Sequence, residues 1–141
     1  TRPLAEHFQW VQSVGRAKIL QRLSSQRPAD MPPLNICLEI NIDREPQKSG
    51  LLSEEIPAIA RMAMDLPGVR LRGLMAIPMY RENPADMADS FRRVKAIFAD
   101  VCDVGCDLDT LSMGMSGDLE TAFREGSTMV RVGTDLFGPR P

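Results

Sequence analysis

Leu111-Ser-Met-Gly-Met-Ser-Gly-Asp-Leu-Glu120 and Thr128-Met-Val-Arg-Val-Gly-Thr-Asp-Leu-Phe-Gly138 share one layout. Each reads as a short strand that runs into a Gly/Ser/Thr turn and then opens a helix. A helix start presents unpaired backbone N–H groups and the positive end of the helix dipole, so it suits an anion. Two such starts in consecutive units predict a single phosphate cradle. In an eight-stranded β/α barrel, such a cradle lies at the loops after the last two strands, closed by a short extra helix. Residues 134–137 have the length for that helix.

Upstream, strands and helices alternate. Residues 9–14 are predicted as a strand, and residues 16–26 as a helix with Ile19, Leu20 and Leu23 on one side. Residues 34–42, Leu-Asn-Ile-Cys-Leu-Glu-Ile-Asn-Ile, form a near-continuous apolar run that suits a parallel strand buried on both faces. A helix follows within residues 53–64, with Ile56, Ile59, Ala60 and Ala63 at helical spacing. Pro57 falls in its first turn, where proline is tolerated. Residues 70–77 are the next strand, closed by Pro78. Asn83-Pro84 opens the longest helix, with Asn as cap and Pro at the first helical position. Met87, Phe91, Val94, Phe98 and Val101 give that helix one apolar stripe, read as core packing against a sheet. Residues 109–113 and 128–132 are predicted strands around a helix at 117–125. That helix has Leu119, Ala122 and Phe123 inward, and Gly126 stops it.

Strands joined in this way by helices predict a parallel α/β sheet with right-handed crossovers. A full β/α barrel needs eight units and about 250 residues. The chain has 141 residues. The expected architecture is therefore a partial (β/α)8 TIM barrel, about the last five βα units, with residues 1–141 as the C-terminal part of a single domain. Such a piece has open sheet edges and an uncovered apolar interior, and both favour self-association.

Composition narrows the function classes. A net charge of −2 gives no broad basic field for nucleic acid, and no apolar run approaches a membrane span. The N-terminus lacks the layout of a signal peptide, so a cytoplasmic setting is expected. Cys37, Cys102 and Cys106 form no even set, and His7 is the only histidine, so no zinc site is expected. Reduced, buried or half-buried thiols are the reading for all three.

Several of these segments resemble one family. Leu38-Glu-Ile-Asn-Ile42, Lys48-Ser-Gly50, Leu71-Arg-Gly-Leu-Met-Ala-Ile-Pro78, Leu111-Ser-Met-Gly-Met-Ser116 and Gly126-Ser-Thr-Met-Val-Arg-Val-Gly-Thr134 with Phe137-Gly138 look like the pyridoxal-phosphate homeostasis proteins. These have the fold of the alanine racemase N-terminal barrel. The similarity covers nearly the whole chain, and its last two motifs are the specific ones. The resemblance implies pyridoxal phosphate bound inside the barrel. Its phosphate would be held by Ser116 and by the backbone and hydroxyl around Gly133 and Thr134, with Gly114 and Met115 part of the same site. Arg131 would face the pyridine nitrogen. It also implies a role in binding and managing the cofactor rather than in catalysis, with no catalytic residue assigned. In that family, a lysine at the end of the first strand carries the cofactor covalently. Lys18 and Lys95 lie in predicted helices and Lys48 in a loop, so none is expected to serve.

Each of these residues also has a plainer reading. Ser116 suits a helix N-cap, a role compatible with phosphate binding. Arg131 shares a strand face with Met129 and Gly133, while Val130 and Val132 share the other. If the valines face the helices, Arg131 points into the barrel, where an arginine needs a ligand or an acid such as Glu39. Asn41 faces the cofactor or caps a turn. Met75 reads as barrel filling, Lys48-Ser49-Gly50 as a solvated loop with a Gly turn, and Asp43, Arg44 and Glu45 as solvated charges. Two enzyme readings stand beside the carrier. An amino-acid racemase or decarboxylase of this fold needs a second acid/base group, and the only tyrosine is Tyr80. A sugar-phosphate barrel enzyme would use the cradle alone.

Overall fold

A computed structural model describes residues 1–140. Five strands form one sheet in sequential order, β1 (Trp10–Val14), β2 (Leu34–Ile40), β3 (Val69–Ala76), β4 (Thr110–Met115) and β5 (Met129–Arg131). Every neighbouring pair is parallel. The crossovers are α2 (Ala17–Gln26), α3 (Ile56–Met64) after a single 3-10 turn at Ser53–Glu55, α4 (Pro84–Asp103) and α5 (Leu119–Arg124). α1 (Arg2–His7) precedes the sheet and α6 (Thr134–Phe137) follows it.

The core lies between the outer face of the sheet and the crossover helices. Leu34, Ile36, Leu38 and Ile40 of β2 are buried with Leu74 and Ala76 of β3. Leu20 and Leu23 of α2, Ile56 and Ala60 of α3, and Phe91 and Val94 of α4 cover them. This departs from the expected burial on both faces: β2 puts its aliphatics outward and Asn35, Cys37 and Glu39 on the other side, where Asn35 and Glu39 are only half-buried. The Asn83 side chain accepts the Ala85 amide at 2.9 Å and caps α4 as its sequence predicts.

The sheet curls. The Ser112 hydroxyl on β4 donates to Gln12 Oε1 on β1 at 2.6 Å, and Gln12 Nε2 donates to the sulfur of Met129 on β5 at 3.1 Å. In a flat sheet, β1 and β5 would stand about 19 Å apart, far beyond the reach of one glutamine. The molecule is a half-barrel, the partial β/α barrel expected.

Its concave face corrects one expectation. The interior is not an uncovered apolar surface. Gln12, Asn35, Glu39, Ser112 and Arg131 point into it, and the Arg72 guanidinium lies 4.7 Å above the Trp10 ring while pairing with Asp109 at 2.6 Å.

α1 carries no strong local signal, and its last turn is finished by tertiary contacts: the buried Arg27 donates to the carbonyls of Ala5 (2.7 Å) and Phe8 (2.8 Å). One local reading also changes. Phe123 does not point inward but is 73% exposed, whereas its neighbour Ala122 is fully buried. In a helix of six residues, adjacent positions diverge by about 100°, and only one of the two can face the sheet.

Candidate functional site

The loops after β4 and β5 meet at the C-terminal ends of the strands, the face where β/α barrels place their chemistry. Ser116 leaves β4 and its hydroxyl accepts the Asp135 amide of α6 at 3.3 Å. Ser116 is therefore not the N-cap of α5. Asp118 holds that position, and its carboxylate accepts the Met115 amide at 2.7 Å. Gly133 is the N-cap of α6, and its carbonyl accepts the amides of Leu136 (3.0 Å) and Phe137 (2.8 Å). A cleft of about 620 Å³ opens between the loops, lined by Met115, Ser116, Gly117, Gly133 and Thr134. A Cβ built on Gly117 or Gly133 would meet nothing within 4 Å, so the space before these backbones is open.

Gly114 sits elsewhere. Its φ is +97°, at an irregularity in the β4–β5 pairing, and a Cβ there would come within 2.5 Å of the Ala122 Cβ. Its glycine is required by packing against α5 and by a left-handed backbone.

Arg131 points into the concave face. Its Nη2 donates to the Ala76 carbonyl at 2.9 Å and its Nη1 to the Met75 sulfur at 3.1 Å, while its buried Nε has no partner. Among the described residues, no carboxylate forms an ion pair with it. Glu39, the acid named as the alternative, accepts Ser49 Oγ at 3.1 Å instead. Burial pushes the Arg131 guanidinium below its ordinary pKa, against the opposing pull of Asp118, Glu39 and Cys37. Cys37 shares this face, and burial pushes its thiol up to about 12.

The remaining residues divide plainly. Met75 fills the interior, as expected, and also supplies the sulfur that Arg131 uses. Asn41 closes a turn: its Nδ2 donates to the Glu45 carbonyl at 2.8 Å and its Oδ1 accepts the Glu45 amide at 2.9 Å. Tyr80 is 74% exposed.

The segment after β2 is not merely solvated. Lys48 Nζ lies 2.6 Å from the largely buried Glu45 carboxylate and donates to the Ile77 carbonyl at 3.4 Å. Gly50 has φ +116° and lies against the Asn41 backbone, where a Cβ would come within 2.8 Å of its nitrogen.

Asp43 is not the solvated charge expected of it. Its side chain is only 4% exposed and binds Arg93 (2.7 Å) and Arg81 (3.1 Å) through Oδ1, while Oδ2 accepts the Met79 amide at 2.6 Å. Burial alone would raise this carboxyl, but the Met79 amide, Arg93 and Arg81 outweigh it and hold the pKa below the ordinary aspartate value. Arg44 is exposed and pairs with Glu54 at 3.0 Å, as a loop charge should.

Cys37, Cys102 and Cys106 are free thiols, buried or half-buried. Among the described residues, no group of His, Cys, Asp and Glu could hold a metal ion, and no helix is long and apolar enough to cross a membrane.

Comparison with known proteins places this geometry. The profile of the alanine racemase N-terminal domain family matches residues 1–141. A pyridoxal phosphate homeostasis protein of Pseudomonas aeruginosa is 55% identical over 140 residues, covering 99% of this chain and 60% of that protein. The Escherichia coli protein of the same name is 44% identical, with the same shares. The chain thus spans about 60% of the length of these curated relatives. Among solved structures, PipY of Synechococcus elongatus without PLP superposes with a TM-score of 0.86 at 31% identity, over 97% of this chain and 65% of PipY. PipY with PLP bound gives 0.82 at 31% identity, over 97% and 64%. An arginine decarboxylase from a Paramecium bursaria Chlorella virus is 16% identical with a TM-score of 0.67, over 89% of this chain and 39% of the decarboxylase, and shares the fold alone. The chain belongs to the alanine racemase N-terminal domain family, and its relatives there are pyridoxal phosphate homeostasis proteins.

Proposed function

We propose that this chain carries the phosphate and ring contacts of a pyridoxal-phosphate-binding protein that holds and hands on the cofactor, without turning over a substrate. The observation that carries the reading is Arg131: among the described residues its guanidinium, in the concave face, has no acidic partner and its buried Nε has no partner at all, two residues before the Gly133 that lines the open cleft. A buried polar group of this kind is expected to have a partner, and a cofactor ring is the partner proposed.

In this reading, Ser116 and Thr134 offer hydroxyls and Gly133 its backbone to the phosphate. Met115 forms one wall, and Gly114 lets β4 pack closely enough to α5 to set that wall. A phosphate or sulfate ion would occupy the same cradle. Bound pyridoxal phosphate supplies an electron sink for amino-acid chemistry. Arg131 only donates hydrogen bonds, so a ring nitrogen facing it is kept unprotonated, which weakens that sink. The racemase or decarboxylase reading retains support from the family. It lacks a placed second acid/base group among the described residues, since Tyr80 is held out in solvent. A cytoplasmic setting, with free thiols kept reduced, completes the proposal. So does self-association through the β1 and β5 edges.

Titration with inorganic phosphate and then pyridoxal phosphate tests the site. Both ligands are expected to compete, and R131A is expected to weaken only the second. Ligand-induced shifts confined to residues away from Ser116, Gly133 and Thr134 would overturn the assignment. Borohydride trapping with peptide mapping tests the covalent part: Lys18, Lys48 and Lys95 are expected to label well below one equivalent.

A further inference from the structure

A second polar cluster surrounds Asp43. It joins the segment after β2, the exit of β3 and α4, all at the C-terminal ends of the strands. Met79 is held at both backbone atoms: its amide donates to Asp43 Oδ2 at 2.6 Å, and its carbonyl accepts Arg81 Nη1 at 3.1 Å. Arg93 ties the same carboxylate to the Ile42 carbonyl, donating to the two at 2.7 Å and 3.2 Å. Only Ile77 and Pro78 separate Met79 from Ala76. Pro78 has a fixed φ, and the Ile77 carbonyl accepts Lys48 Nζ. The Ala76 carbonyl therefore has little freedom, and it is one of two acceptors that Arg131 has. The other, the Met75 sulfur, is on the same strand.

An arginine without an acid is aimed only by such acceptors. We infer that Asp43 is a positioning residue for Arg131: by pinning the exit of β3, it fixes the carbonyl and the sulfur that orient the guanidinium toward the ligand. The inference rests on the proposed pyridoxal phosphate site and adds a residue on another loop to it.

The test compares wild type, D43N and R131A. Pyridoxal phosphate and inorganic phosphate are titrated separately, and solvent exchange of the Arg131 Nε–H is followed by nitrogen-15 NMR. D43N is expected to weaken pyridoxal phosphate roughly tenfold, to leave inorganic phosphate within about twofold, and to speed Nε–H exchange roughly tenfold. Equal effects on both ligands, or unchanged Nε–H exchange, overturn the inference. If R131A leaves pyridoxal phosphate binding intact, the cofactor reading fails instead, and the exchange rate alone decides whether Asp43 orients Arg131. If D43N does not fold, R81A replaces it. R81A keeps the carboxylate and frees the Met79 carbonyl, and the same selective loss and faster exchange are expected of it.

Discussion

Asp43 and Arg131 are both charges drawn out of water at the C-terminal strand ends of one half-barrel, after β2 and on β5, yet they are treated oppositely. Asp43 has two arginines and a backbone amide on its two oxygens. Arg131 has a carbonyl, a sulfur and one nitrogen with nothing at all. A saturated buried charge fastens elements together. An undersupplied one is held ready for something from outside, because a buried unpaired group is otherwise selected against.

Breaking the saturated side should have the largest effect. D43A removes the carboxylate that Arg81 and Arg93 share, leaving Arg93 only Asp89 at 3.6 Å, and is expected to reduce stability by about 2–3 kcal/mol, short of the full penalty for a deeply buried pair because both arginines are partly exposed. Urea unfolding monitored by circular dichroism measures this. The undersupplied side should behave the other way. R131M is expected to leave stability unchanged or slightly higher, while pyridoxal phosphate affinity falls by about 2 kcal/mol, close to thirtyfold. If R131M instead unfolded readily, the contrast between the two charges would collapse.

The pH dependence sharpens the contrast further. The folded pKa of Asp43 is lowered, so its stabilisation is fully present above the unfolded aspartate value of about 3.9 and is lost as pH falls through the lower folded value. Wild type is therefore expected to hold its urea midpoint from pH 7 to about pH 5 and to lose it below about pH 4. D43N should start lower and fall less. The smallest effect belongs to S116A. It removes one neutral acceptor from the Asp135 amide and is expected to weaken phosphate binding by about 1 kcal/mol or less. Ring recognition at Arg131 should be unaffected, as direct titration of both ligands would reveal.

The sequence carries much of the fold because its signals are local. Leu34–Ile40 announces a buried parallel strand by composition, and Asn83-Pro84 announces α4 by the chemistry of its first turn. The inward direction of Arg131 follows from strand alternation with Val130. What escapes is set by partners far along the chain. Asp43-Arg-Glu looks like any charged loop, and its arginines lie 38 and 50 residues away. The same distance hides α1, whose end is completed by Arg27, and hides Lys48, whose loop reads as solvated until the Ile77 carbonyl is placed beside it. Gly114 belongs to a motif that points to the cofactor, but motif membership does not distinguish a residue that touches a ligand from one that lets a helix approach.

The glutamine bridge across the concave face has a kinetic meaning. In the sheet, each strand pairs with the next in the chain, so assembly can proceed one unit at a time with modest loop closures. The contacts of Gln12 with Ser112 and Met129 span 100 and 117 residues. They form only once both edges of the sheet have arrived and its curvature is complete. The bridge is thus a late event in folding and an early one in opening, and it marks when the half-barrel has acquired an inside.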